Sequence, residues 1–144
     1  MTKHIVYLSL GSNLGNRQRN LRRAIAQIKK LIGEVERQST FLVTEPWGYE
    51  SANYYLNACV RVATGLSPRQ LLNATQEIER RSGRTTHSVK DYETGVMTYH
   101  DRPIDIDILL YDDLTVDEPD LKIPHPFMYE RDFVMTPLRE IMNT

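Results

Sequence analysis

"RPIDIDILLYDD", residues 102–113, sets Ile104, Ile106, Ile108 and Leu110 at alternate positions, with Asp105 and Asp107 between them. Side chains of a strand alternate between the two faces of its sheet. The stretch therefore reads as a strand with one apolar face turned to a core and two carboxylates turned the other way. A sheet that carries helices on a single face buries that face only. Asp112 and Asp113 fall at the strand's end and read as turn residues.

The segments upstream supply the rest of such a sheet. His4–Leu10 is a short apolar strand that stops at Gly11, and "GSNLGN" then gives the turn chemistry before a helix. Leu21, Ala24, Ile25, Ile28, Leu31 and Ile32 form one apolar stripe, which predicts an amphipathic helix with Asn16 as N-cap and Gly33 as its stop. "VERQSTFLV", residues 35–43, reads as a strand, and Tyr55–Thr64 as the next. In that second strand Leu56, Ala58, Val60 and Val62 take the core face, which leaves Tyr55, Asn57, Cys59 and Arg61 on the same side as the aspartates. Ser67 as N-cap, Pro68 at the first helical position and Gln70 completing a capping box mark a second helix, predicted to end at Gly83.

The order is thus strand, helix, strand, strand, helix, strand, the split β-α-β arrangement of the ferredoxin-like α+β sandwich. It predicts a mostly antiparallel sheet with two helices on one face. "LKIPHPFMYERDFVMTPLREI", residues 121–141, reads as a small C-terminal extension of short turns and strands wrapped around one end. Repeats, low-complexity tracts and linkers are lacking, so residues 1–144 read as one domain.

Composition agrees with that size of fold. With 40% hydrophobic and 26% charged residues the chain has the balance of a folded domain, long enough to build a core without disulfides or a structural metal. The single cysteine, Cys59, reads as a small core filler. The N-terminus lacks the pattern of a secretory signal, and apolar runs fall short of the ~20 residues that span a bilayer, so a cytoplasmic protein is expected and a membrane partner is not. Eighteen Lys and Arg against 19 Asp and Glu give a net charge of −1, which argues against a broad nucleic-acid footprint. An anionic ligand must be met by local groups.

Asp105 and Asp107 stand about 7 Å apart on one strand face, where unpaired carboxylates repel and are driven toward protonation. Divalent cations resolve that conflict, and Mg²⁺ in particular takes carboxylate oxygens while sharing its other positions with water and substrate phosphates. On spacing alone the blander reading carries more weight: the pair solvates an exposed face or meets Arg61 and Arg102.

Company changes the balance. Around "RPIDIDILLY" the chain carries, in order, "LGSNLGNR" (10–17), "TEPWG" (44–48), "YYLNA" (54–58), "QEIERRSGR" (76–84) and "IPHPFMYERDFVMTPLREI" (123–141). In order and relative position this set closely resembles the 6-hydroxymethyl-7,8-dihydropterin pyrophosphokinases of folate biosynthesis, over nearly the whole chain. The resemblance implies the ferredoxin-like fold and a Mg²⁺-dependent transfer of pyrophosphate from ATP to the hydroxymethyl group of the pterin, releasing AMP. By the same resemblance Asp105 and Asp107 hold two magnesium ions, and Arg84 and Arg102 join them at the phosphates. Ser12, Asn13, Thr44, Trp47, Tyr55, Asn57, Tyr99 and Phe133 fall on the pterin side. Gln76, Glu79, Ile108, His125 and Arg131, again with Arg84 and Arg102, fall on the ATP side. A monomer is expected.

Two departures accompany the resemblance. Residues 85–101 show no convincing periodicity and fit a loop longer than in some relatives, of the kind that closes over substrates. Tyr99, His100, Asp101 and Arg102 stand where the familiar pattern has Trp-Gly-Pro-Arg, so that Tyr99 or Tyr92 is left to cap the pterin and Lys90 or His87 to replace a loop arginine. "GSNLGNR" lacks the spacing and lysine of a phosphate-binding P-loop. The alternative readings are a ferredoxin-like protein that binds nucleotide or pterin with little turnover, and an RNA-recognition module of the same topology. The second is poorly supported, since the last two core strands lack the clustered aromatics used to stack bases.

Overall fold

The computed structural model describes residues 3–44, 54–83 and 103–142. Its elements are β1 (His4–Ser12), α1 (Arg17–Leu31), β2 (Gly33–Gln38), β3 (Leu42–Thr44), β4 (Tyr55–Thr64), α2 (Pro68–Arg81), β5 (Asp105–Tyr111), β6 (Val116–Glu118), β7 (Leu121–Ile123) and α3 (Asp132–Met142), the last preceded by a 3₁₀ turn at Met128–Glu130.

Both predicted caps form. The Asn16 side chain accepts the Arg19 amide at the start of α1. Ser67 and Gln70 make the reciprocal capping box at the start of α2, with Pro68 at its first position. Helix α2 closes through Ser82 into Gly83, whose φ of +93° is a conformation that favours glycine. At the end of α1 the expectation needs correcting: the helix stops at Leu31, Ile32 is its C-cap, and Gly33 opens β2. Gly33 is needed there for contact, because a Cβ would lie 2.0 Å from the carbonyl oxygen of Ala63 on β4.

The main sheet runs β2-β4-β1-β5 with every pairing antiparallel, and β3 pairs with β4 along the same edge as β2. This is the ferredoxin-like order. The segment read as one strand over 35–43 is divided because Ser39 leaves the ladder: its hydroxyl accepts the Cys59 amide at 2.9 Å while its own amide bonds the Cys59 carbonyl. Helices α1 and α2 cover one face. There Val6, Leu8, Leu10, Ala58, Val60, Val62, Ile104, Ile106 and Ile108 pack against Leu21, Ile25, Ile28, Leu71 and Ile78.

The opposite face departs from expectation. The C-terminal stretch forms a true helix, α3, and its Val134, Met135, Leu138 and Ile141 bury Cys59 and Leu109 in a second, smaller core. Leu110 joins that second core rather than the first. The cause is a bulge: Tyr7 pairs with Leu110 but Leu8 pairs with Ile108, so Leu109 is an extra residue that reverses the alternation beyond it. Tyr111 then returns to the helix face, where its hydroxyl donates to the Leu66 carbonyl at 2.5 Å.

Candidate active site

Helix α3 covers only part of its face of the sheet. Next to the second core, the register lays out a row across four strands: Leu42 on β3 and Gly11 on β1 both stand opposite Asn57 on β4, and Gly11 in turn stands opposite Asp105 on β5. One step along, Ser9 stands between Cys59 and Asp107. Tyr55 and Thr44 extend the row at the β3–β4 end. The aspartates therefore share a face with Tyr55 and Asn57, as the alternation predicts.

Asn57 is buried and donates through its side-chain amide to the Thr44 hydroxyl, which orients its carboxamide. Gly11 gives that side chain its room, because a Cβ there would come within 2.9 Å of Asn57 Oδ1 and 3.2 Å of the Tyr55 ring. Asp107 is buried and Asp105 partly so. Within the described residues no cluster of three or more His, Cys, Asp and Glu is present.

The chain after β7 brings a second group to this face. The His125 amide donates to the Leu109 carbonyl at 3.0 Å, fastening the segment to β5, and the Phe127 amide points at His125 Nδ1, 3.4 Å away. Arg131 is buried just ahead of α3, its guanidinium stacked between the rings of Phe127 and Phe133 at 5.9 and 5.8 Å. Phe133 also packs against the second core. Two aromatic rings thus hold a cation just ahead of α3.

Three expected positions already have protein partners. The Ser12 hydroxyl accepts from Asn20 of α1 at 3.2 Å, so Ser12 braces the turn into that helix and does not face the aspartates. Its parity with Leu10 demands this. The side chain of Ile108 lies in the helix-side core, which leaves only its main chain to meet a ligand. Glu79 is buried, and its carboxylate accepts the Ile106 amide at 2.9 Å. Gln76, on the same helix, is partly exposed, and Asn13 is buried at the end of β1. Trp47, Arg84, His87, Lys90, Tyr92, Tyr99 and Arg102 lie outside the described residues.

Three residues of the site escaped the sequence reading: Ser9, Gly11 and Phe127. For the first two a signal existed, since small residues on β1 alternate with Leu8 and Leu10 and so fall on the aspartate face. Cys59 shares that face but not the chemistry. Burial pushes its thiol up to about 12, a rise that a hydrogen bond from Ser9 only partly offsets.

Comparison with known proteins identifies the family. A model of the family described as 7,8-dihydro-6-hydroxymethylpterin-pyrophosphokinase matches residues 7–143. A protein of Porphyromonas gingivalis named 2-amino-4-hydroxy-6-hydroxymethyldihydropteridine pyrophosphokinase is 49% identical over 138 residues, covering 95% of this chain and 90% of its own length. One of the same name from Bacillus subtilis is 39% identical over 96% of this chain and 78% of its own length. Among solved structures, a Plasmodium falciparum HPPK-DHPS superposes with a TM-score of 0.77 at 16% identity, over 98% of this chain. The chain spans 40% of the length of that structure.

Proposed function

Because the chain belongs to the 7,8-dihydro-6-hydroxymethylpterin-pyrophosphokinase family, we propose that it transfers pyrophosphate from ATP to the hydroxymethyl group of 6-hydroxymethyl-7,8-dihydropterin, releasing AMP. This is a step of folate biosynthesis. The observation that carries the reading is the shared face: Asp105 and Asp107 stand in register with Gly11 and Ser9, one strand away from Asn57. That face suits a site for phosphates beside a site for a flat heterocycle.

Each side has suitable chemistry. Asn57 presents both a donor and an acceptor and, held by Thr44, meets the amide-like edge of the pterin, with Tyr55 next to it and Phe133 offering an aromatic face. His125 and Arg131 supply hydrogen bonds and positive charge for the nucleotide, with the carboxamide of Gln76 from α2. Two carboxylates on one strand face fit magnesium, which takes one or two such groups and leaves its other positions to water and phosphate oxygens. Held by Asp105 and Asp107 with ATP, such an ion would offset the charge of the triphosphate and of the departing AMP.

The reaction needs positioning more than a covalent catalyst. The hydroxymethyl oxygen forms a bond to the β-phosphorus, the bond from that phosphorus to the bridging oxygen of the α-phosphate breaks, and AMP leaves with the electron pair. The hydroxyl proton is released. We place the enzyme in the cytoplasm as a monomer.

Incubation with ATP, Mg²⁺ and 6-hydroxymethyl-7,8-dihydropterin tests the reading. AMP should appear with the wild type and fall about a hundredfold or more in Asp105→Ala and Asp107→Ala, the loss typical of removing one electrostatic stabiliser. ATP binding with no AMP above those variants would leave a binding protein in place of an enzyme.

A further inference from the structure

Strand β5 ends the sheet order, so along one of its edges no strand pairs with it among the described residues. Such an edge presents backbone N–H and C=O groups that need partners and, left alone, opens locally at low cost. At this edge the Glu79 carboxylate reaches across from α2 and accepts the Ile106 amide at 2.9 Å. Ile106 is the residue between Asp105 and Asp107. In-plane backbone groups alternate in direction along an antiparallel strand, so if Ile106 turns its amide outward, Asp105 and Asp107 turn theirs toward Gly11 and Ser9 of β1. The acidic pair is held from β1 on one side and from Glu79 on the other.

We propose that Glu79 is a positioning residue for the acidic pair, fixing the strand edge between Asp105 and Asp107 so that both carboxylates are presented at one spacing to the divalent cation and triphosphate. The inference deepens the pyrophosphokinase reading and rests on it for the identity of the ligand. A carboxylate suits the task because a charge-assisted bond to a backbone amide is stronger than a neutral one. Its burial keeps water from competing for the amide. Position matters here because a displacement of about 1 Å in a reacting constellation can cost a hundredfold in rate.

The test compares Glu79→Ala and Glu79→Gln with the wild type by two readouts: hydrogen exchange of the Ile106 amide in the ligand-free protein, and the Mg²⁺ concentration giving half-maximal AMP release at saturating ATP. Glu79→Ala should speed exchange at Ile106 about tenfold or more and raise the Mg²⁺ requirement by a similar factor, with the KM for pterin changed less than about threefold. Glu79→Gln keeps an acceptor oxygen at the same place and should restore most of both losses. Unchanged exchange at Ile106 in Glu79→Ala overturns the proposal. So does an equal loss in both variants with the amide still protected, which would mean that the carboxylate acts by its charge on the nucleotide. If the wild type itself releases no AMP, the functional reading fails by itself, and exchange at Ile106 still decides whether Glu79 holds the strand.

Discussion

Gly11 of β1 and Asn57 of β4 face each other so closely that a Cβ on the glycine would lie 2.9 Å from Asn57 Oδ1. The missing side chain is thus a condition for the position of the carboxamide. Gly11→Ala must push aside Asn57, which is fixed by Thr44, and the Tyr55 ring at 3.2 Å. We expect pterin affinity to fall about tenfold, with ATP affinity changed less than about threefold, on the scale of one disturbed hydrogen-bonding group. Isothermal titration with each ligand checks it, and loss of both affinities together would place the two sites in one pocket.

Asn57→Ala should weaken pterin binding more, by about thirtyfold or greater, because the pterin edge is then left without partners when buried. ATP should bind nearly as before. Equal losses for the two ligands would mean that the substrate sides are assigned the wrong way round.

Cys59 should be chemically silent in the native protein. With the thiol pushed up to about 12 by burial and covered by α3, almost none is thiolate at pH 8. Iodoacetamide at pH 8 should leave it unmodified until urea is added, as read by intact mass. Modification at the rate of a free thiol in native conditions would show that α3 detaches readily from the sheet.

Asp112 predicts part of the acid sensitivity of the fold. Burial acts against its ionised form, but the Ile5 amide and the His4 ring, both at 2.7 Å, outweigh it and hold the carboxyl below its ordinary value. A depressed carboxylate stabilises the native state fully above its unfolded value of about 4, and that contribution is lost as pH falls through the lower folded value. Urea midpoints for the wild type and Asp112→Asn should therefore differ at pH 7 and converge as the pH falls through the folded value of Asp112. A constant difference across that range would mean that the carboxylate charge contributes nothing.

Local periodicity made much of this molecule legible. The caps at Asn16 and Ser67, the alternation of β4 and the two faces of β5 as far as Ile108 each depend on neighbours a few residues apart, and each formed as read, whereas Leu110 lies beyond the bulge and changed sides. What escaped depends on distant contacts. Ser39 leaves its strand because of Cys59, and Thr40 is then held through its amide and hydroxyl by Glu140 of α3, both at 2.9 Å. Helix α3 did carry a signal in Val134, Met135, Leu138 and Ile141, spaced as one helical stripe, although Pro137, a residue that ordinarily interrupts a helix, lies within it. In the site, parity joined the aspartates to Asn57, and the same rule applied to Ser12 would have turned it toward α1.

The extra residue at Leu109 divides β5 into two halves with separate phase. Asp105 and Asp107 take their orientation from Gly11 and Ser9, whereas Tyr111 takes its own from Val6, across the bulge. A strand built in this way can absorb change near its far end without rotating its carboxylates into the core. Removing Leu109 would let the pairs Leu8–Ile108, Tyr7–Leu110 and Val6–Tyr111 follow one another without a bulge, so the aspartates and Tyr111 would both keep their sides.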